Sequence, residues 1–207
     1  MKSECENQSG ASLPPKTCSP FFVFDVESIG LHGEGFAVAG GVYIAGAAQW
    51  EFCFCCPMDK AEGMQADRDW VSRNVPVMEE THRDTYGLRL AFWQAWEKAK
   101  AGGAEMAAEC LWPVEARFLQ DCIRDDAQRL PTAPYPCHEI ASVMLSTGMN
   151  PMATYDRTPS ELPRHNPLAD ARQSARLLSE ALARMGNSVL DDKGAKPKDA
   201  NAVDKTT

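Results

Sequence analysis

The sequence predicts an α/β domain, a mixed β-sheet with helices packed on its faces. Three observations predict it. Apolar runs of strand length come first, at 21–26, 35–44 and 49–56. Helix-spaced and strand-like segments then alternate. A long helical pattern closes the domain, opened by Asn166-Pro167. Strands in a row followed by alternation give a mixed sheet rather than a pure sandwich or bundle.

Each element has a local reason. Residues 1–19 are rich in Ser, Pro, Glu and Gln and read as a flexible lead. Segment 21–26, Phe-Phe-Val-Phe-Asp-Val, is a strong strand. Segments 35–44 and 49–56 are two more, joined by a short turn around Gly46, hence a hairpin. A helix is expected over 65–74. A second, over 85–101, places Leu88, Phe92 and Trp96 four residues apart, with Gly102-Gly103 as a stop. The Trp93 and Trp96 rings belong to the core. Residues 104–111 read as a strand, and Pro113 suits the first position of a helix reaching about Leu130. A strand at 135–140 leads into a short helix through Leu145. The last helix takes Asn166 as N-cap and Pro167 as first residue, running to about Met185 before Gly186. One domain, 20–186, is expected, with 187–207 as a disordered tail.

Bulk properties narrow the function. The 207 residues carry a net charge of −8. Charges in the lead and in the last eighteen residues cancel, so the body is acidic. That argues against a broad basic surface for long nucleic acid. No apolar stretch approaches the roughly 20 residues of a membrane span. The start, MKSECENQSG, has no signal-peptide core, so a cytoplasmic location is expected. The eight cysteines are scattered, and Cys53, Cys55 and Cys56 read as small apolar strand residues rather than a zinc site.

Asp25-Val26-Glu27 ends the first strand. Alternation turns both carboxylates to one face. Holding two like charges there, partly buried, is costly unless a cation lies between them. Oxygen donors suit Mg²⁺ or Mn²⁺. Far along the chain, Asp170 falls in the first turn of the last helix, where an anion is favoured, and His165 sits just before it. A neutral imidazole beside a metal-bound water can take that water's proton.

The order FxFDxESxGL at 22–31, then an acidic helix start, then HNPLADA at 165–171, resembles the DEDDh 3′–5′ exonuclease family, the DnaQ-like branch of the ribonuclease-H-like fold. The resemblance spans about residues 21–180. It implies two divalent cations held by Asp25, Glu27, a middle carboxylate and Asp170, with His165 as general base. Ser28 stands where the family often has Thr, and Gly30 and Leu31 match the turn beside the terminal nucleotide. The middle motif departs from the family pattern: Val114-Glu115 replaces Phe-Asp, followed by Phe118-Leu119 at the right offset. Glu115 is the favoured ligand and Glu109 the alternative. The segment also resembles the small bacterial exoribonuclease-like subgroup.

The implied activity is hydrolysis of terminal phosphodiesters at single-stranded 3′ ends or on short oligonucleotides, RNA slightly ahead of DNA. Many relatives of this type pair as homodimers. Two rivals stand beside it: a degenerate exonuclease fold that binds without cutting, and a two-metal phosphohydrolase of small nucleotides. Arg164, Arg172 and Arg176 flank the site, the last two reading as a solvated helix face. His32 follows Leu31 on an exposed loop, and His82 and His138 have no partner pattern.

Overall fold

A computed structural model describes residues 19–192. It is a mixed α/β fold, with five strands in the order β3-β2-β1-β4-β5. Central β1 (Phe21–Ser28) pairs antiparallel with β2 (Gly35–Ile44), which pairs antiparallel with β3 (Ala47–Cys55). On its other side β1 runs parallel to β4 (Glu105–Ala108), and β4 parallel to β5 (Cys137–Glu139). Ala45 and Gly46 both have positive φ, 50° and 79°, which closes the β2–β3 hairpin in two residues.

Alternation along β1 sorts its side chains. Phe22, Phe24 and Val26 enter one core with α1 (Gln65–Asn74), α2 (Thr85–Ala101) and α3 (Ala116–Asp125). There Phe22 stacks on Phe52 at 5.6 Å and meets Phe92 edge-on at 5.7 Å. Burying each such ring contributes about 2–3 kcal/mol. Trp93 and Trp96 are 2 % exposed, core residues as their spacing predicts. Val23 faces the opposite way, into a second core with α4 (Ile140–Ser146) and α5 (Pro167–Asp192). Asp25 and Glu27 share that parity and face α5. Among the described residues, no helix is long and apolar enough to cross a membrane.

Several boundaries differ from expectation. β1 runs two residues further, so both acids lie within it. β3 begins at Ala47, and β4 is only four residues long. The helix expected from Pro113 to Leu130 is broken twice. Trp112 is extended (φ −104°, ψ 135°), so 111–115 form a kinked turn and α3 starts at Ala116. Asp126 is extended too, and its side chain accepts from the Gln128 N–H, starting a separate 3₁₀ turn, Ala127–Thr132. Gly186 does not stop α5, which runs on to Asp192. A helix-interior Gly costs about 1 kcal/mol, which is too little to end a long helix unaided. The expected lead (1–19) and tail (187–207) lie outside the described residues except for Ser19 and 187–192.

Candidate functional site

Three parts of the chain meet at the carboxyl ends of the parallel strands. β1 supplies Asp25 and Glu27. The kinked turn after β4 supplies Glu115, which is buried and whose carboxylate accepts the Val26 N–H and its own. The first turn of α5 supplies Asp170. That helix starts where it does because the Asn166 Oδ1 accepts from the Leu168 and Ala169 N–H groups at 3.1 and 3.2 Å. Glu109, just past β4, accepts from the Ser174 hydroxyl at 3.1 Å and also faces Asp25 and Glu115.

Charge is the dominant property of this cluster. Burial holds Asp25 well above the usual carboxylate range, and Glu115, Glu27, Asp170 and Glu109 push it the same way, in that order. Glu115 therefore acts on Asp25 more strongly than Glu109 does. Glu27 is pushed up to about 8, by burial first and then by Asp170 and Glu115. Glu115 rises to about 7, mainly by burial, against its two backbone hydrogen bonds. Protons take the place that counter-charge would otherwise fill. Glu27, His165 and Asp170 each present a ligand atom within 4.8 Å of the others. Asp25 and Glu115 adjoin this trio without belonging to it. Carboxylate oxygens suit a hard divalent cation, so the residues fit the ions the sequence implies, with the His165 imidazole beside them rather than among the ligands.

One cation is already present. The Arg157 guanidinium donates to Asp170 Oδ1, and at 2.9 Å to the Glu161 carbonyl. Glu161 is buried, accepts from Arg176 at 2.7 and 3.0 Å, and closes a capping box with Thr158. This anchors the loop that ends at His165. His165 has φ 59°, a left-handed conformation that His adopts more readily than most residues. Its N–H donates to Asp170 Oδ2 at 3.0 Å, and its ring lies edge-on to Trp70 at 5.3 Å.

Beside the carboxylates opens a pocket of about 320 Å³, lined by Glu27, Ser28, Gly30, Leu31, Trp70 and Val114. Gly30 has φ 71°, and a Cβ there would lie 2.4 Å from the Asp67 carboxyl carbon, so only glycine fits. The Ser28 hydroxyl donates to the Gly30 carbonyl at 2.7 Å and fixes the turn. Leu31 is 65 % exposed at the mouth.

All eight sequence-predicted site residues come together here. Sequence reasoning missed Trp70, Val114 and Arg157. Trp70 had one signal: it adjoins Val71, and adjacent helix residues cannot both face one core. Val71 is buried and Trp70 is 46 % exposed. The solvated-face reading of Arg172 and Arg176 is corrected, for both are ion-paired. Arg172 grips Glu51 at 2.8 and 2.6 Å, and Arg176 holds Glu161 and Glu180. His82 and His138 do have partners, Thr81 at 2.8 Å and Glu105 at 2.6 Å. Burial pushes the Cys55 and Cys56 thiols up to about 11 and about 12, which suits inert apolar packing. No protein-family model matches the chain, and no curated protein matches it.

Proposed function

We propose that this chain is a two-metal-ion 3′–5′ exonuclease acting on single-stranded nucleic acid or short oligonucleotides, RNA slightly ahead of DNA. One observation carries the reading: Asp25, Glu27, Glu115 and Asp170 converge, with His165 at their edge, beside an open pocket with an apolar wall. It agrees with the resemblance of the first and last motifs to the DEDDh exonucleases.

Asp25, Glu27, Glu115 and Asp170 would hold Mg²⁺ or Mn²⁺. When bound, such ions lower the pKa of water and neutralise charge on a phosphodiester. The chain's own residues do the rest. Leu31, Trp70 and Val114 take the terminal base and sugar by apolar contact, which reads no base edge and leaves sequence preference weak. The Ser28–Gly30 turn keeps the pocket open. His165, held by its backbone to Asp170, accepts the proton of the attacking water. Water adds to the terminal phosphorus, the bond to the 3′ oxygen breaks, and a nucleoside 5′-monophosphate leaves.

A binding module without catalysis is the second reading. The Arg157–Asp170 pair favours it, because it meets part of the charge without a metal. A time course on 5′-labelled single-stranded RNA and DNA of equal sequence separates the two, run with Mn²⁺, Mg²⁺ or EDTA and with an Asp25→Ala control. The exonuclease gives a metal-dependent ladder shortening from the 3′ end, absent in the variant. Intact strands with folded protein would refute it.

A further inference from the structure

A second depression, of about 220 Å³, continues from the candidate site. It shares Leu31 with the pocket beside the carboxylates and is lined onward by His32, Trp112, Pro113, Arg117 and Arg124. Its character is the opposite of the acidic cluster. Trp112 is extended and 70 % exposed, a large aromatic side chain open to solvent among the described residues. Arg117 donates to the His32 carbonyl. Its buried Nε makes no hydrogen bond, the Asp121 carboxylate lying 3.5 Å away as an ion pair only. Arg124 meets the same Asp121 at 2.8 Å, with a side chain 68 % exposed. Two guanidinium groups thus share one carboxylate, leaving a local positive charge in a chain of net −8. An aromatic face beside excess cationic charge is how proteins hold single-stranded nucleic acid without reading sequence.

We propose that this trough binds the nucleotide on the 5′ side of the terminal one, its base stacked on Trp112 and its phosphate against Arg117 and Arg124. The assignment rests on the exonuclease reading for direction only; the chemistry of the trough stands apart from cleavage. It makes the preferred substrate a single strand of at least two nucleotides and disfavours a mononucleotide. A duplex fits poorly, because its bases are already stacked on each other.

Binding tests this independently of catalysis. The full chain is titrated with 5′-fluorescein-(dT)₅ in Ca²⁺ by fluorescence polarisation, the strand being checked intact afterwards, and dTMP is measured as competitor. Trp112→Ala should weaken (dT)₅ about tenfold or more, the scale of one lost base–aromatic stack. The dTMP competition constant should stay unchanged, and Trp112→Phe should recover most of the loss. Arg124→Gln should flatten the slope of log Kd against log salt by about 0.7, one phosphate contact on a single strand. Equal loss for dTMP and (dT)₅, or no loss for either, would overturn the proposal. Length-dependent binding without any 3′ shortening would keep the trough and remove the exonuclease. Shortening by a Trp112→Ala chain with unaltered (dT)₅ affinity would do the reverse.

Discussion

Cation binding at the acidic cluster should release protons, and the number follows from its electrostatics. Glu27, pushed up to about 8, and Glu115, pushed up to about 7, are roughly nine-tenths and one-half protonated at pH 7. Asp25 is held well above its usual range by the same burial and neighbouring charges. Metal ligands must be deprotonated, so filling the site at pH 7 should expel about 1.4 protons from the two Glu residues alone. Linkage then sets the pH dependence of affinity. Between pH 7 and pH 8 the apparent Kd for Mn²⁺ should tighten about tenfold, and between pH 8 and pH 9 only about twofold. Calorimetric titration of the cation-free protein in two buffers of different ionisation enthalpy counts the protons directly. Release of fewer than about 0.3 protons at pH 7, with Mn²⁺ bound, would refute the argument. It would mean that the ion sits away from Glu27 and Glu115.

Three shorter predictions accompany it. The same carboxylates are raised in the folded chain, so their stabilising, protonated form is complete below about pH 4.5 and is lost as pH rises through about 7 and 8. The Tm of cation-free protein should therefore fall between pH 5 and pH 8.5, and saturating Mg²⁺ should flatten the fall; a Tm that rises across this window would contradict the assignment. Arg157→Gln removes the positive charge on Asp170, and should tighten Mn²⁺ roughly three- to tenfold by calorimetry; weaker binding would make Arg157 a support for the ion rather than its competitor. His165→Ala should cut turnover by about 10²–10⁴ while leaving the Mn²⁺ Kd within about threefold, as Asp170→Ala would not, and full turnover in either variant would remove that residue from the reaction.

What the sequence revealed and what it hid divide by the range of the interactions. Asp25 and Glu27 were legible because strand alternation is local: two residues apart means one face, whatever the rest of the chain does. The Asn166-Pro167 start of α5 was legible for the same reason, since a cap needs only the next three residues. Helix ends were less legible. Asp126 breaks the expected 113–130 helix through its own side-chain hydrogen bond, and nothing in the apolar spacing foretells that. Arg157 was not legible as a site residue at all, and Trp70 only as a ring that must turn away from the core because Val71 faces it. Each reaches the site through a tertiary contact, Arg157 by the Glu161-anchored loop and Trp70 by the fold bringing α1 against His165. Arg172 looked like solvated helix surface because its partner Glu51 lies on a distant strand.

The strongest argument that the cluster exists for use comes from its cost. Asp25, Glu27 and Glu115 are held above their normal range by burial and by the charges around them, and among the described residues the Arg157 guanidinium pairs with Asp170 beside them. A purely structural site would be better served by a neutral isostere, because a residue that must take up a proton to fold at pH 8 loses stability there. Asp25→Asn should therefore raise the Tm of the cation-free protein more at pH 8 than at pH 5, because the cost of a carboxyl held above its usual range grows as pH rises. Each 1 kcal/mol recovered corresponds to about 2–4 °C in a chain of this size. The same change should abolish metal-dependent strand shortening. Stabilisation together with loss of activity is the signature of a strained functional site. Destabilisation at both pH values would instead show that the Asp25 carboxylate is held by interactions a carboxamide cannot replace, and the electrostatic cost assigned to the cluster would then be wrong.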